Sequence, residues 1–247
     1  GHGAKGGAMA RLAGTALRVN RYRVSRLYSP HGGSLHFNPR RLSGWMVFRL
    51  EKIQERVTDA LVFVCEFERD TYQTKVGRIG TRSEVVYNGV GESDFVPVPE
   101  NPNAVDFLYV GMLRDLKGPD VFIDAFAKTE RILRRPLSAM MIGDGPQKDD
   151  YLNMMTVRGL GRRITMLPAM DIRVAFANSR TVVVPSRAES MPYIVLESLA
   201  AGKTVIASDV GGIAEVLGKG SRALVTAGDS DALAKIMAES LTVPDWS

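Results

Sequence analysis

Residues 185–202 read PSRAESMPYIVLESLAAG, and they follow the apolar run TVVV at 181–184. The β-branched residues of that run and the proline that closes it read as a buried strand. A short polar loop, SRAES, comes next, and a helical stretch then opens with Pro192 near its first turn, where a missing N–H costs nothing. Two carboxylates bracket the junction, Glu189 in the loop and Glu197 at least one turn into the helix. The first-turn amides of Met191, Tyr193 and Ile194 have no partner within such a helix. A strand end, an open helix N-terminus and two carboxylates at this spacing suit a ligand rich in hydroxyls that carries a diphosphate. The helix end takes the phosphate, and the carboxylates take hydroxyl pairs.

Working outward, strand-like runs alternate with helix-like runs from residue 105 onward. DFLYVGM, LSAMMIG, ITMLP, TVVVP, TVIAS and RALVT are the strands; Pro119–Leu133, Pro146–Val157, Ile172–Asn178, Pro192–Ala200, Ile213–Leu217 and Asp231–Leu241 are the helices. This alternation predicts a doubly wound α/β fold, a parallel sheet covered on both faces. Ligands of such sheets sit outside the carboxyl ends of the strands, which here means the loops GMLRDLKG, GDGPQ, PAMD and SRAES. In the first, Gly111 opens the loop, and Arg114 and Lys117 stand beside a helix N-terminus, where a diphosphate would be held. In GDGP, Gly143 allows close backbone approach; a plain tight turn fits that motif as well as a ligand contact. The pattern is not GxGxxG, which leaves a nicotinamide dinucleotide poorly supported.

The amino-terminal part shows the same alternation with three strands: VSRLYSP, ALVFVC and SEVVYNGV. Gly1–Gly14 reads as a loop entering a helix, Leu42–Asp59 has helical spacing, and FERDTYQTKVG is a short helix ending at Gly77. The proline-rich run from Gly91 to Asn103 is the best linker, which divides the chain into residues 1–92, a linker at 93–104, and residues 105–247. His31, in SPHGG, follows a strand in a basic neighbourhood; it reads either as a surface histidine or as a contact to ligand.

Composition narrows the functional classes. Hydrophobic residues make up 45% of the chain, ample for a core. The single cysteine, Cys65, lies in an apolar run and reads as a buried core residue in a reducing compartment. No Cys/His spacing suggests a metal, no apolar run spans a bilayer, and no serine or cysteine nucleophile motif is present. Charge is uneven: residues 1–95 hold 15 Lys and Arg against 9 Asp and Glu, and no acid precedes Glu51. Such a region attracts an anionic membrane surface, lipid phosphates or nucleic acid, or is simply a solvated basic face. Nucleic acid is the weaker of these, because no base-reading or stacking motif accompanies the charge.

Taken together, E-SMPYIVL-E, LKG, GDGP, ASDVGGIAEV, SPHGG and VYNGV resemble the retaining GT-B glycosyltransferases of family 4. The resemblance implies two Rossmann-like domains, the first lacking its opening strands. It implies a UDP-, GDP- or ADP-sugar as donor substrate, no cofactor and no metal, and no nucleic-acid partner. By the family pattern Glu197 binds the ribose and Glu189 the transferred sugar, while Ser190, Met191, Pro192, Tyr193 and Ile194 approach the sugar and distal phosphate. Lys117 and Arg114 neutralise the leaving diphosphate, Gly111 and Gly143 border it, Met170 lies near the base, and His31 reaches the sugar. Met112 stands where the family carries arginine, and Arg114 is the nearest substitute. The implied reaction moves a hexose-type sugar to an acceptor hydroxyl with retention, in bacterial polysaccharide or glycolipid assembly, in the cytoplasm or at the inner membrane face. A chain without the first domain's opening strands is expected to bind donor but to turn over weakly. A nucleotide-sugar-binding module without catalysis and a sugar-nucleotide epimerase of the same fold are the competing readings.

Overall fold

The computed structural model describes residues 1–244 and 246, so the last residue of the expected second domain, Ser247, lies outside the described residues. The chain forms two compact units, Gly1–Asn88 together with Glu189–Met191, and Gly89–Ala188 together with Pro192–Ser247. The proline-rich run lies within the second unit. Val98 N–H donates to Ala201 O at 3.0 Å and Asn101 N–H to Ala177 O at 2.8 Å. Arg173 adds donations to the carbonyls of Ser93 and Val96.

The first unit contains α1 (Gly3–Val19), β1 (Leu27–Tyr28), α2 (Leu42–Glu55), β2 (Ala60–Phe63), α3 (Glu66–Lys75) and β3 (Arg82–Val85). Its three strands are parallel in the order β1-β2-β3. Tyr28, Leu35, Phe48, Leu61, Phe63 and Tyr72 form its core. Helix α1 begins already at Gly3, earlier than the loop expected over Gly1–Gly14, in spite of four glycines inside it. Packing offsets their poor propensity: a Cβ on Gly7 would stand 2.2 Å from the Tyr28 ring, so only glycine lets the helix lie against β1.

Part of the basic character of this unit is consumed internally. Arg11 is buried; its guanidinium lies over the Tyr28 ring and donates to Glu51. Tyr28 Oη and Ser34 Oγ also donate to Glu51, each at 2.9 Å. Burial and the Glu51 charge push the Tyr28 phenol far up. Arg18 and Arg26 share Asp59, and hydrogen bonding from Arg26 holds that carboxyl below its ordinary range. Three of the nine basic residues that precede Glu51 therefore serve the fold.

The second unit contains β4 (Val105–Val110), α4 (Pro119–Leu133), β5 (Ala139–Ile142), α5 (Lys148–Val157), β6 (Ile164–Leu167), α6 (Ile172–Ala177), β7 (Ser179–Val184), α7 (Tyr193–Ala200), β8 (Thr204–Ser208), α8 (Ile213–Leu217), β9 (Leu224–Val225) and α9 (Ser230–Thr242). All six strands are parallel, in the order β6-β5-β4-β7-β8-β9. Successive residues feed opposite faces. Phe107, Tyr109, Val183 and Ile206 join α4, α5 and α9 in one core, while Leu108, Val182, Val184, Val205 and Ala207 join α6, α7 and α8 in the other. A strand buried on both faces must be apolar throughout, which is why these read as continuous runs. The order in which strands are added to the sheet reverses between β4 and β7, so their crossover helices diverge. The crevice outside the carboxyl ends of these two strands is the expected ligand position.

Candidate functional site

Three loops meet at that crevice and are tied by backbone contacts. The chain after β4 lies against the chain after β5: Leu113 N–H donates to Asp144 O at 2.9 Å, and Gln147 N–H to Leu113 O at 3.2 Å. Gly143 has φ +149°, and a Cβ there would stand 2.0 Å from Gly111 O. Any side chain at 143 would thus force the two loops apart. The loop after β7 is fastened to the loop after β4 by Arg187. Its N–H donates to Leu116 O at 2.8 Å, and its guanidinium grips Asp120 with Nη1–Oδ1 2.8 Å and Nη2–Oδ2 2.5 Å. Burial opposes ionisation of Asp120, but the Arg187 hydrogen bonds prevail and hold its carboxyl below the usual range.

Asp120 sits in the first turn of α4, where a carboxylate is favoured by the helix dipole. This helix end is therefore already supplied with negative charge by the chain, a role that charge spacing in the sequence did not reveal. Helix α7 differs. It follows Pro192, has no capping side chain and has no acid in its first turn. Pro192 occupies the cap position, one residue before the helix. The first-turn amides leave the helix at Tyr193 and Ile194.

Glu197 is half-buried on α7, and its carboxylate accepts no hydrogen bond among the described residues. Burial, with the nearby Asp94 charge in second place, raises its pKa. Arg114, at the end of β4, has a buried Nε without a hydrogen-bond partner, and its guanidinium forms no ion pair among the described residues. Met112 points to solvent, and its carbonyl accepts from Tyr109 Oη at 3.1 Å. Lys117 closes the short turn Asp115–Lys117 before Gly118. Met170, exposed, lies after β6 at the edge of the sheet, two strands from β4. In the second unit Gly111, Arg114, Lys117, Gly143, Pro192, Tyr193 and Ile194 lie on loops or at a helix start at the carboxyl edge, with Glu197 one turn into α7 and Met170 farther along that edge.

His31, Glu189, Ser190 and Met191 belong to the first unit. Its organising group is Glu68, a buried carboxylate that sequence reasoning missed. Glu68 accepts from the N–H groups of Gly32 at 2.5 Å and Val64 at 2.9 Å, and from Ser190 Oγ at 3.3 Å. Its position in the first turn of α3 was the available signal. His31 has φ +50° and shares a 2.7 Å hydrogen bond with His2. Burial lowers the His31 pKa, with Glu68 opposing. Glu189 is buried, and Asn88 Nδ2 donates to Met191 O at 2.9 Å.

A doubly wound parallel sheet with glycine-tightened loops at its switch point defines a Rossmann-like fold, and the comparisons with known proteins agree with the GT-B class. The profile of the family described as "Glycosyl transferases group 1" matches residues 92–245, and the chain belongs to that family. It is 28% identical over 183 residues to a D-inositol 3-phosphate glycosyltransferase of Gordonia bronchialis, covering 66% of this chain and 40% of that protein. It is 31% identical over 121 residues to the alpha-D-kanosaminyltransferase of Streptomyces kanamyceticus, covering 48% and 31%. The chain thus spans less than half the length of these relatives. Among solved structures, the sucrose-phosphate synthase of Thermosynechococcus elongatus superposes with a TM-score of 0.81 at 21% identity, over 99% of this chain and 64% of that one. Anabaena HepE in complex with UDP and glucose gives 0.79 at 21% identity, over 97% and 67%.

Two outcomes test the electrostatics. Asp120→Asn breaks the clamp on Arg187 and is expected to cost about 1–2 kcal/mol at neutral pH. Because the folded Asp120 pKa is depressed, that stability exists above the ordinary carboxylate range and is lost as pH falls through the folded value. Urea unfolding at neutral and strongly acidic pH should therefore show the gap between variant and parent closing in acid. Glu197→Gln should act in the opposite sense. The raised pKa means that the charged form is disfavoured by folding, so the glutamine variant should melt higher than the parent at neutral pH without ligand. The gain should vanish below the ordinary carboxylate range, and a lower melting temperature at neutral pH would contradict it.

Proposed function

We propose that the chain carries the donor-binding machinery of a glycosyltransferase that moves a hexose-type sugar from a UDP-, GDP- or ADP-sugar to an acceptor hydroxyl with retention. The observation that carries this reading is Glu197, a half-buried carboxylate without a partner beside the uncapped start of α7. A folded protein tolerates such a group where a ligand completes it. A ribose supplies two hydroxyl donors in the geometry a carboxylate accepts, and the α7 amides supply the complementary site for phosphate. Arg114 takes the place of the family arginine absent at Met112, and with Lys117 it stabilises charge developing on the leaving diphosphate without a metal. Gly111 and Gly143 keep the loop backbones low beneath the diphosphate, and Met170 borders the base. We assign orientation of the transferred sugar to Glu189, Ser190, Met191 and His31.

We assign the acceptor to a sugar or lipid-linked sugar, in polysaccharide or glycolipid synthesis on the cytoplasmic side. The exposed basic residues of the first unit then rest on anionic lipid headgroups as a peripheral contact. Support comes from the charge pattern, and from exposed Trp45 with Arg49 stacked on it at 5.7 Å. Among the described residues, no helix is long and apolar enough to cross a membrane.

Thermal melting against a panel of UDP-, GDP- and ADP-sugars tests the donor assignment. One base should stabilise the parent, by about 2.7 kcal/mol at 100 times Kd, and Glu197→Gln should lose most of that gain. Indifference of the parent to every member would refute the donor site. In a transfer assay Lys117→Ala should lower the rate roughly 10²-fold or more. Product analysis by NMR should show the anomeric configuration of the donor preserved.

A further inference from the structure

At the opposite edge of the second sheet, where strands begin and helices end, an open surface concavity of about 400 Å³ is lined by five arginines. Arg131 and Arg134 come from the end of α4, Arg135 from the chain leading into β5, Arg158 from the end of α5, and Arg163 from the chain before β6. Glu130 is the one acid among them. Its two oxygens are already engaged: Oε1 accepts from Leu137 N–H at 3.0 Å, and Oε2 pairs with Arg163 Nη1 at 2.9 Å. Arg163 Nη2 also donates to Gly159 O at 2.9 Å. Three elements are thereby cross-tied into a fixed floor.

The charge account of this cavity does not close within the protein. Arg163 is matched by Glu130, Arg158 by Asp124 at 2.5 Å, and Arg135 by Asp106 at the looser distance of 3.6 Å. Arg131 and Arg134 are exposed to solvent and form no ion pair or side-chain hydrogen bond among the described residues. Arg134 also holds a left-handed backbone conformation, φ +52°, which a non-glycine residue adopts at a cost. Helix C-termini favour single cations, which accounts for one arginine at each helix end. It does not account for five around one concavity, with two lacking partners. A guanidinium offers parallel N–H donors that match phosphate oxygens, and a cavity of this volume holds a small ligand.

We infer that this cavity is a binding site for a small anion carrying two or more phosphate groups, separate from the crevice at the carboxyl edge. Arg131 and Arg134 are its principal donors, Arg135 and Arg158 are its flanks, and the Glu130–Arg163 pair is its floor. The same chemistry is available from a free phosphorylated metabolite and from a phosphate-bearing lipid headgroup.

The test uses the 247-residue chain carrying Arg114→Ala and Lys117→Ala, which removes the cations of the other crevice. Calorimetric titration with inorganic pyrophosphate should show one site, and adding Arg131→Ala and Arg134→Ala should weaken it at least tenfold. Circular dichroism of the fourfold variant checks that the fold is kept; should it be lost, Arg131→Lys with Arg134→Lys on the same background should fold and keep part of the affinity. Co-sedimentation with cardiolipin vesicles, whose headgroup carries two phosphates, separates the sources. Vesicle binding that falls with the same two arginines assigns the headgroup, and pyrophosphate binding without vesicle binding assigns the free anion. Absence of both, or binding that survives loss of Arg131 and Arg134, would overturn the site.

Discussion

Everything at the carboxyl edge depends on one packing constraint, the approach of the chain after β5 to the chain after β4. Gly143 places its backbone where a Cβ would lie 2.0 Å from Gly111 O. That contact allows Leu113 and Asp144 to exchange a backbone hydrogen bond and sets the direction in which Arg114 and Lys117 leave β4. Arg187 completes the arrangement from β7, because its pair with Asp120 holds the third loop against the first. Neither device is chemistry in itself. Each converts a flexible connection into a fixed rim, so that side chains meeting a ligand do not have to be ordered at the moment of binding.

Against that rigid rim, the distribution of satisfied and unsatisfied charge is informative. Buried acids elsewhere are saturated: Glu51 has three side-chain donors, and Glu68 has two backbone amides and a hydroxyl. Glu130 engages both oxygens. Glu197 does not follow this pattern. Holding this half-buried carboxylate charged without a donor is costly, and that cost is what motivates the ribose contact proposed for it.

Much of this was legible in sequence because parallel strands buried on both faces are apolar without interruption, and helices between them carry their own stop signals. Pro119–Leu133 and Ile213–Leu217 were readable to the residue, since Pro119 fixes one start and Gly218 one end. Helix α1 was harder: its glycines speak against a helix locally, and only their fit against Tyr28 explains them. Lys117, Glu189 and Glu197 stand out through motif spacing, which survives in a linear sequence. Asp120, Arg187 and Glu68 were missed because their meaning lies in partners 67 residues apart in one case and 36 in another. The basic amino-terminal bias was legible as a sum but not as a surface, since Arg11, Arg18 and Arg26 are matched by Glu51 and Asp59.

The two edges of the parallel sheet impose opposite electrostatic demands. At the carboxyl edge helix N-termini already favour an anion, so one or two cations and some exposed amides are enough. At the amino edge the helix carbonyls point outward and oppose an anion, so any site there must carry an excess of fixed positive charge. Three arginines balancing three carboxylates would leave that edge neutral and slightly repulsive toward phosphate. Arg131 and Arg134, added beyond that balance at the end of α4, reverse the sign. The number of arginines at this edge is therefore itself a consequence of the fold: the same ligand chemistry needs more guanidinium where the backbone works against it.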